Sequence, residues 1–164
     1  MSKALQDLQE AFAGESQANR KYLAFARKAE EEGYKQVAKL FRAAAEAETV
    51  HAHNHLREMG GIRSTIQNLE EAINGESHEF QSMYPRMLAD AKAEGNTNAW
   101  KSFHFANEVE KIHANLYQKA HKYLGDNEKA DYYVCQTCGN TVEHEAPDTC
   151  PICGAKREQF KKIV

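Results

Sequence analysis

Two short segments repeat one pair of metal-binding side chains at one spacing: "ETVH" at residues 48–51 and "EKIH" at 110–113. Residues three apart share a helix face, so each segment sets a carboxylate beside an imidazole. Glu15 and Glu76 add one carboxylate each, from "LQEAFAGES" (8–16) and "LEEAINGES" (69–77). Glu15, Glu48, Glu76 and Glu110 with His51 and His113 match the needs of two divalent cations. Four acids neutralise the charge, carboxylates can bridge two ions, and a neutral imidazole caps each. Without metal the same set would be four acids repelling one another in a core. The second chemical cluster is Cys135, Cys138, Cys150 and Cys153, as "CQTC" and "CPIC"; residues 1–134 hold no cysteine. Two Cys-x-x-Cys knuckles make a tetrahedral tetrathiolate site, and this clustering reads as a metal site before it reads as disulfides.

The elements that must position these residues are four long helices with 3.6-residue periodicity, expected over 3–31, 34–59, 65–94 and 96–124. Gly33, Gly60–Gly61, Gly95 and Gly125 are the stop signals. On the second helix an advance of about 100° per residue puts His51 and His55 with Glu48, Phe41, Ala44 and Met59. Glu46 and His53 fall on the opposite side and are expected in solvent. The helical region is a duplication, 1–61 and 62–125. The offset is 61 from Leu8 to Leu69 and 62 from Tyr22 onward, pairing Tyr22 with Tyr84, Phe41 with Phe103, Glu48 with Glu110 and His51 with His113. The residue gained between Glu76 and Tyr84 predicts a π-bulge between Glu79 and Pro85, a feature that favours functional sites. In the same frame Glu79 stands opposite Gln17, so only the second half has an extra carboxylate. One Glu from each of two helices with Glu-x-x-His from each of the other two is the pattern of ferritin-like di-iron and di-manganese bundles.

The expected fold is mainly α: a ferritin-like four-helix bundle over 1–130 and a small metal-binding β/loop domain over 131–164. Some 35 residues cannot build an adequate core alone, so metal must help hold the second domain. Its thiolates suit a structural zinc ribbon or a single iron, with Tyr132, Tyr133 and Phe160 as aromatic candidates around it. A redox pair in the bundle needs electrons, which favours iron, because zinc has no accessible redox chemistry. The net charge of -3 gives no reason to expect nucleic acid. The start "MSKALQDLQE" lacks an apolar signal core and no run approaches membrane-spanning length. The expectation is a soluble, cytoplasmic protein with no membrane partner.

At this point the chain resembles the rubrerythrins, through "GESQANRKY", "EAETVH", "GESHEFQSMYP", "EVEKIH" and "CQTCG…CPICG". The resemblance implies a di-iron bundle joined to a rubredoxin-like iron tetrathiolate, and reduction of hydrogen peroxide to water in defence against oxidative stress. It implies that Glu48 and Glu110 bridge the irons, Glu15 and Glu76 are terminal ligands and His113 binds one iron. Glu79 and His51 would be alternative ligands of the other iron, exchanged as its oxidation state changes. Tyr22 and Tyr84 match the tyrosines that flank such sites. His55, opposite Tyr117 in the repeat, is expected to face inward as a hydrogen-bonding or core residue. The implied electron donor is a rubredoxin or a flavin-dependent reductase. Two competing expectations are a ferroxidase or iron-storage protein, and a non-enzymatic bundle with a structural zinc ribbon.

The linker between the repeats bears on assembly. In a ferritin-like bundle the second and third helices run parallel, so the chain must return the length of the bundle. A helix of about 27 residues is roughly 40 Å long, whereas six residues from Gly60 to Thr65 reach about 20 Å. A domain-swapped homodimer is therefore expected, each di-iron site drawing ligands from two chains; the competing expectation is a monomeric up-down-up-down bundle, which needs only a short loop but departs from that topology.

Overall fold

A computed structural model describes residues 2–164. The chain forms two compact units that divide after Arg63. The first is a hairpin of α1 (Lys3–Glu31) and α2 (Lys35–Glu58). Gly33, at φ 86, makes the turn between them in the left-handed region that side chains disfavour. The seam of this hairpin is built from small residues. Ala38, Ala45 and Ala52, seven apart on α2, are buried, as are Ala26 and Ala29 on α1. Asn19 is buried in the same seam and donates to the Ala45 carbonyl (2.7 Å) and to Thr49 Oγ1 (2.8 Å), a polar tie between α1 and α2. The larger apolar side chains on the Glu15 and Glu48 faces lie outside the seam: Phe25 is 47% and Leu40 67% exposed.

The second unit opens at α3 (Thr65–His78). Its start is fixed by a capping box: Gln67 N–H donates to Ser64 Oγ while the Gln67 side chain accepts from the Ser64 N–H. Such a cap contributes about 1 kcal/mol. The helix passes into a π-helical turn, Glu79–Met83, and resumes as α4 (Tyr84–Ala93). The Tyr84 N–H reaches back five residues to the Glu79 carbonyl. The gained residue is thus absorbed where the change of offset predicts it, and Pro85 sits at the start of α4, where its missing donor costs least. α3 and α4 pack on α5 (Thr97–Lys122). The four expected helices are all present with ends within two residues, the third of them divided by the π turn.

The same unit ends in a three-stranded antiparallel sheet of order β2-β1-β3, from β1 (Tyr132–Cys135), β2 (Thr141–Glu143) and β3 (Phe160–Ile163). Tyr133 pairs with Val142 on one side and Lys162 on the other. Two ties join β2 to α5. Lys119 Nζ donates to both carboxylate oxygens of Glu143 (2.8 and 3.0 Å), and His113 Nε2 lies 2.9 Å from Thr141 Oγ1. Gly139, just ahead of β2, lies close to Val109 of α5. No helix among the described residues is long and apolar enough to cross a membrane.

Candidate metal centres

The duplicated sequence produces duplicated geometry. In the first unit His51 Nδ1 lies 2.9 Å from Glu48 Oε2 and 3.8 Å from Glu15 Oε1. In the second, His113 Nδ1 lies 2.7 Å from Glu110 Oε2 and 3.8 Å from Glu76 Oε2. The i, i+3 spacing sets the first contact of each pair, and antiparallel packing of the hairpin brings the second glutamate across. Each hairpin therefore presents a three-donor cluster of two carboxylates and one imidazole, with ligand atoms within 4.8 Å of one another.

The electrostatics of the second cluster show why a cation fits there. Burial, a hydrogen bond with Glu110 and that residue's charge push Glu76 up to about 7. Burial also pushes Glu110 upward, but hydrogen bonds from His113 and Glu76 outweigh it and hold Glu110 below the ordinary carboxylate range. The Glu110 hydrogen bond raises His113, against the opposing effect of burial. Like charges close together leave one carboxyl holding a proton, and a dication would displace that proton while satisfying both acids.

Glu79 stands at the first residue of the π turn, outside the three-donor cluster. Burial first, and then the Glu110 charge, raise its pKa. Tyr84 is raised by burial and by Glu79, Glu110 and Glu76, which places its hydroxyl in the field of the carboxylates. Tyr22 packs instead among Phe25 and Phe41, ring centroids 6.4 and 6.1 Å away. His55 is half-buried and Tyr117 exposed, and among the described residues neither hydrogen-bonds a ligand. Glu46 and His53 are exposed, as their helix face predicts.

The four cysteines converge. Cys135 and Cys153 sulfurs lie 3.7 Å apart, and Cys138 and Cys150 3.6 Å. A tetrahedron with metal–sulfur bonds of about 2.3 Å has edges of about 3.8 Å, so the spacing fits one ion. Each knuckle closes identically: Gly139 N–H donates to the Cys135 carbonyl (2.8 Å) and Gly154 N–H to that of Cys150 (2.9 Å). Both glycines have positive φ, 85 and 76. Burial pushes the Cys150 thiol up, but the N–H groups of Cys153 and Ile152 outweigh it and hold it at about 7, toward the thiolate a metal requires. Asn140, buried beside the site, directs its Nδ2 at Cys150 Sγ, 3.6 Å away.

Residues 7–121 match the rubrerythrin family, and residues 133–161 match the rubrerythrin rubredoxin-like domain. The chain is 37% identical to Rubrerythrin-2 of Clostridium acetobutylicum, over 94% of this chain and 93% of that protein. The chain belongs to the rubrerythrin family. A second relative, nigerythrin of Nitratidesulfovibrio vulgaris, is 34% identical over 98% of this chain and 86% of that protein. Solved nigerythrin structures in a mixed-valence state and in a fully reduced, all-ferrous state align with a TM-score of 0.60 at 32% identity, covering 99% of this chain and 88% of that one. The family match covers both metal-binding parts of the chain. The carboxylate–histidine clusters offer ligands for a di-iron pair and the four cysteines for a single iron.

The motifs left three functional contacts unread. Thr141 on His113 and Lys119 on Glu143 depend on how β2 docks on α5, and Asn140 on Cys150 depends on how the two cysteine knuckles fold together. No spacing within the chain encodes that docking. The short polar "GNT" after the first knuckle is the one local signal that could have drawn attention.

Proposed function

We propose that this rubrerythrin is a hydrogen peroxide reductase, which reduces peroxide to water with electrons relayed through its iron tetrathiolate. The observation that supports this most is that one unit holds both a carboxylate–histidine half-site and the tetrathiolate, tied at His113 and Thr141. A storage protein or a binding module has no use for that link. Each peroxide takes two electrons and two protons and yields two waters. Bound iron supplies electrons and Lewis acidity. Glu48 and Glu110 would be the carboxylates shared between the two ions, Glu15 and Glu76 would close the outer positions, and His113 would be a constant ligand. Glu79 and His51 would be alternative ligands of the other iron, exchanged with its charge. Tyr84, raised by burial and the neighbouring carboxylates, keeps its proton and would offer it as a hydrogen bond to peroxide in the site.

Among the described residues each hairpin offers three clustered carboxylate and imidazole donors, so the pair would need both hairpins. Six residues, Met59–Ser64, join α2 to α3, and the Ser64 capping box opposes unwinding α3 to lengthen that link. We therefore assign the assembly as a domain-swapped homodimer, α1 and α2 of one chain completing the site of α3 to α5 of the other. The electron donor is a rubredoxin or a flavin-dependent reductase. A reducing compartment would keep the four thiols available for metal, which supports a cytoplasmic setting.

The decisive experiment measures iron and zinc per chain, then compares reoxidation of the fully reduced protein by peroxide and by dioxygen. Three irons per chain and a clear preference for peroxide are expected. Equal or faster oxidation by dioxygen with mineral accumulation would establish a ferroxidase instead. Zinc in the tetrathiolate would establish a structural ribbon.

A further inference from the structure

His113 is held at both ring nitrogens. Its Nδ1 faces Glu110 and Glu76, and its Nε2 faces Thr141 Oγ1 at 2.9 Å. The Thr141 hydroxyl donates its only proton to the Gly139 carbonyl, 3.1 Å away. With that proton committed to the carbonyl it meets His113 with lone pairs, an arrangement that places the imidazole hydrogen on Nε2. A neutral imidazole with its hydrogen on Nε2 leaves Nδ1 free, on the side where the carboxylates lie, to bind metal.

Thr141 is also part of the tetrathiolate module. It follows Asn140, whose Nδ2 lies 3.6 Å from Cys150 Sγ, and Gly139, whose N–H closes the first knuckle on Cys135. From the imidazole to a cysteine sulfur there is one hydrogen bond to Thr141, a short run of backbone to Asn140, and one N–H···S contact.

Resting on the reading above that both sites hold iron, we propose that Thr141 is a positioning residue with two effects. It fixes the His113 tautomer, making that histidine a permanent ligand. It also makes His113–Thr141–Asn140–Cys150 the electron route between the two sites within one chain. Along that route one electron leaves a ferrous tetrathiolate, which becomes ferric, and reaches a ferric ion of the pair, which becomes ferrous. No bond is made or broken.

Thr141→Val keeps the β-branched shape and removes the hydroxyl, Thr141→Ala removes it in a second context, and Thr141→Ser keeps it. Cobalt(II) binding at the carboxylate sites is titrated optically in full-length protein whose tetrathiolate already holds iron. The tetrathiolate's visible spectrum reports that each variant's module is folded. Electron transfer is read separately, by flash-reducing the tetrathiolate with one electron while the pair is diferric and following its reoxidation. Partners that orient metal-ligating histidines are worth about 10–100-fold in affinity, so cobalt affinity is expected to fall at least about tenfold in Thr141→Val and Thr141→Ala. Electron transfer is expected to slow by a similar factor, and Thr141→Ser to stay within about twofold of the parent in both. The proposal is overturned if either quantity in Thr141→Val stays within twofold of the parent, or if Thr141→Ser falls as far as Thr141→Val. Neither readout uses peroxide, so a protein that fails to reduce peroxide still tests the role of Thr141.

Discussion

His113 and His51 occupy equivalent positions in the two halves of the chain, yet only His113 is held on both sides of its ring. Both place Nδ1 against the glutamate three residues earlier, at 2.7 and 2.9 Å. His113 adds Thr141 at Nε2, and its side chain is 28% exposed. The His51 side chain is 54% exposed, and among the described residues its Nε2 has no hydrogen-bond partner. The duplicated site thus has one imidazole held at both ring nitrogens and one held at Nδ1 alone.

That difference predicts unequal losses. His113→Ala is expected to weaken ferrous iron binding at least about tenfold, more than losing an orienting partner alone would. His51→Ala is expected to weaken binding in one oxidation state of the pair only, because an exchanging ligand binds in one state and leaves in the other. Titrations of the reduced and oxidised proteins check this. Equal losses for both variants in both states would mean the two histidines are equivalent.

Glu79 is the acidic partner in the proposed exchange. It lies outside the three-donor cluster and begins the π turn, where the backbone is irregular and the carboxyl can be re-aimed. Glu79→Gln is expected to keep two irons in the pair while slowing turnover at least about tenfold, the usual scale for losing one positioned group at a metal site. Iron content and steady-state peroxide reduction are the measurements. Full activity in an iron-replete variant would remove Glu79 from the mechanism.

How far the sequence reached depends on the range of each interaction. The helices, the paired Glu-x-x-His clusters and the cysteine knuckles are set by spacings of two to four residues, and these the chain spells out. The π turn was legible because two imperfect copies can be compared: Tyr22 and Tyr84 are counterparts in frames that differ by a residue. The Ala38–Ala45–Ala52 seam is a different matter. The apolar face that holds Leu40 suggests that large side chains fill the hairpin, but the close approach of α1 and α2 is made by alanines. Large residues cannot enter a seam that narrow, so they remain for another surface. The link from Thr141 to His113 spans 28 residues and depends on tertiary docking, which no local period reports.

The protonation pattern predicts opposite pH effects on stability and on metal binding. Burial and Glu110 raise Glu76 from 4.5 to about 7. Its folded form therefore binds a proton more tightly than the unfolded chain does, and stability falls as pH rises from about 4.5 to about 7. Metal requires the proton to leave. Affinity should therefore fall about tenfold per pH unit below pH 7 from this group alone, and more steeply if His113 must also lose a proton. Thermal melts of metal-free protein and cobalt titrations between pH 5 and 8 test the pair of effects. Glu76→Gln should flatten the Glu76 contribution to the melting profile.

Truncation near Asp131 separates the modules. The helices pack on one another, α1 on α2 and α3 and α4 on α5, so the helical content of residues 1–130 is expected to persist, with two irons bound and one round of peroxide reduction after chemical reduction. Because the truncation also removes Thr141, cobalt affinity should drop to the level of Thr141→Val, about tenfold. Turnover with a protein electron donor should fall sharply. Full-rate turnover of the truncated protein with that donor would end the relay role of the tetrathiolate.

The swapped assembly has a test that needs no structure of the dimer. Six linking residues reach about 20 Å, whereas α2, with its 24 residues, is about 36 Å long. The Ser64 capping box holds the first turn of α3 in place. The proposed swap meets this short tether by lending the second hairpin to a partner. One chain carrying Glu48→Ala and His51→Ala loses its first half-site; another carrying Glu110→Ala and His113→Ala loses its second. Each homodimer should be inactive, because every site in it lacks one Glu-x-x-His. Co-folding the two chains with different affinity tags and isolating the heterodimer should restore one intact site, formed by α1 and α2 of the second chain with α3 to α5 of the first. Activity is then expected near half that of the parent dimer, with two irons bound in the single restored pair. In an unswapped arrangement every site is built within its own chain and stays defective, so a verified heterodimer with no restored activity and no intact pair would show that each chain closes on itself.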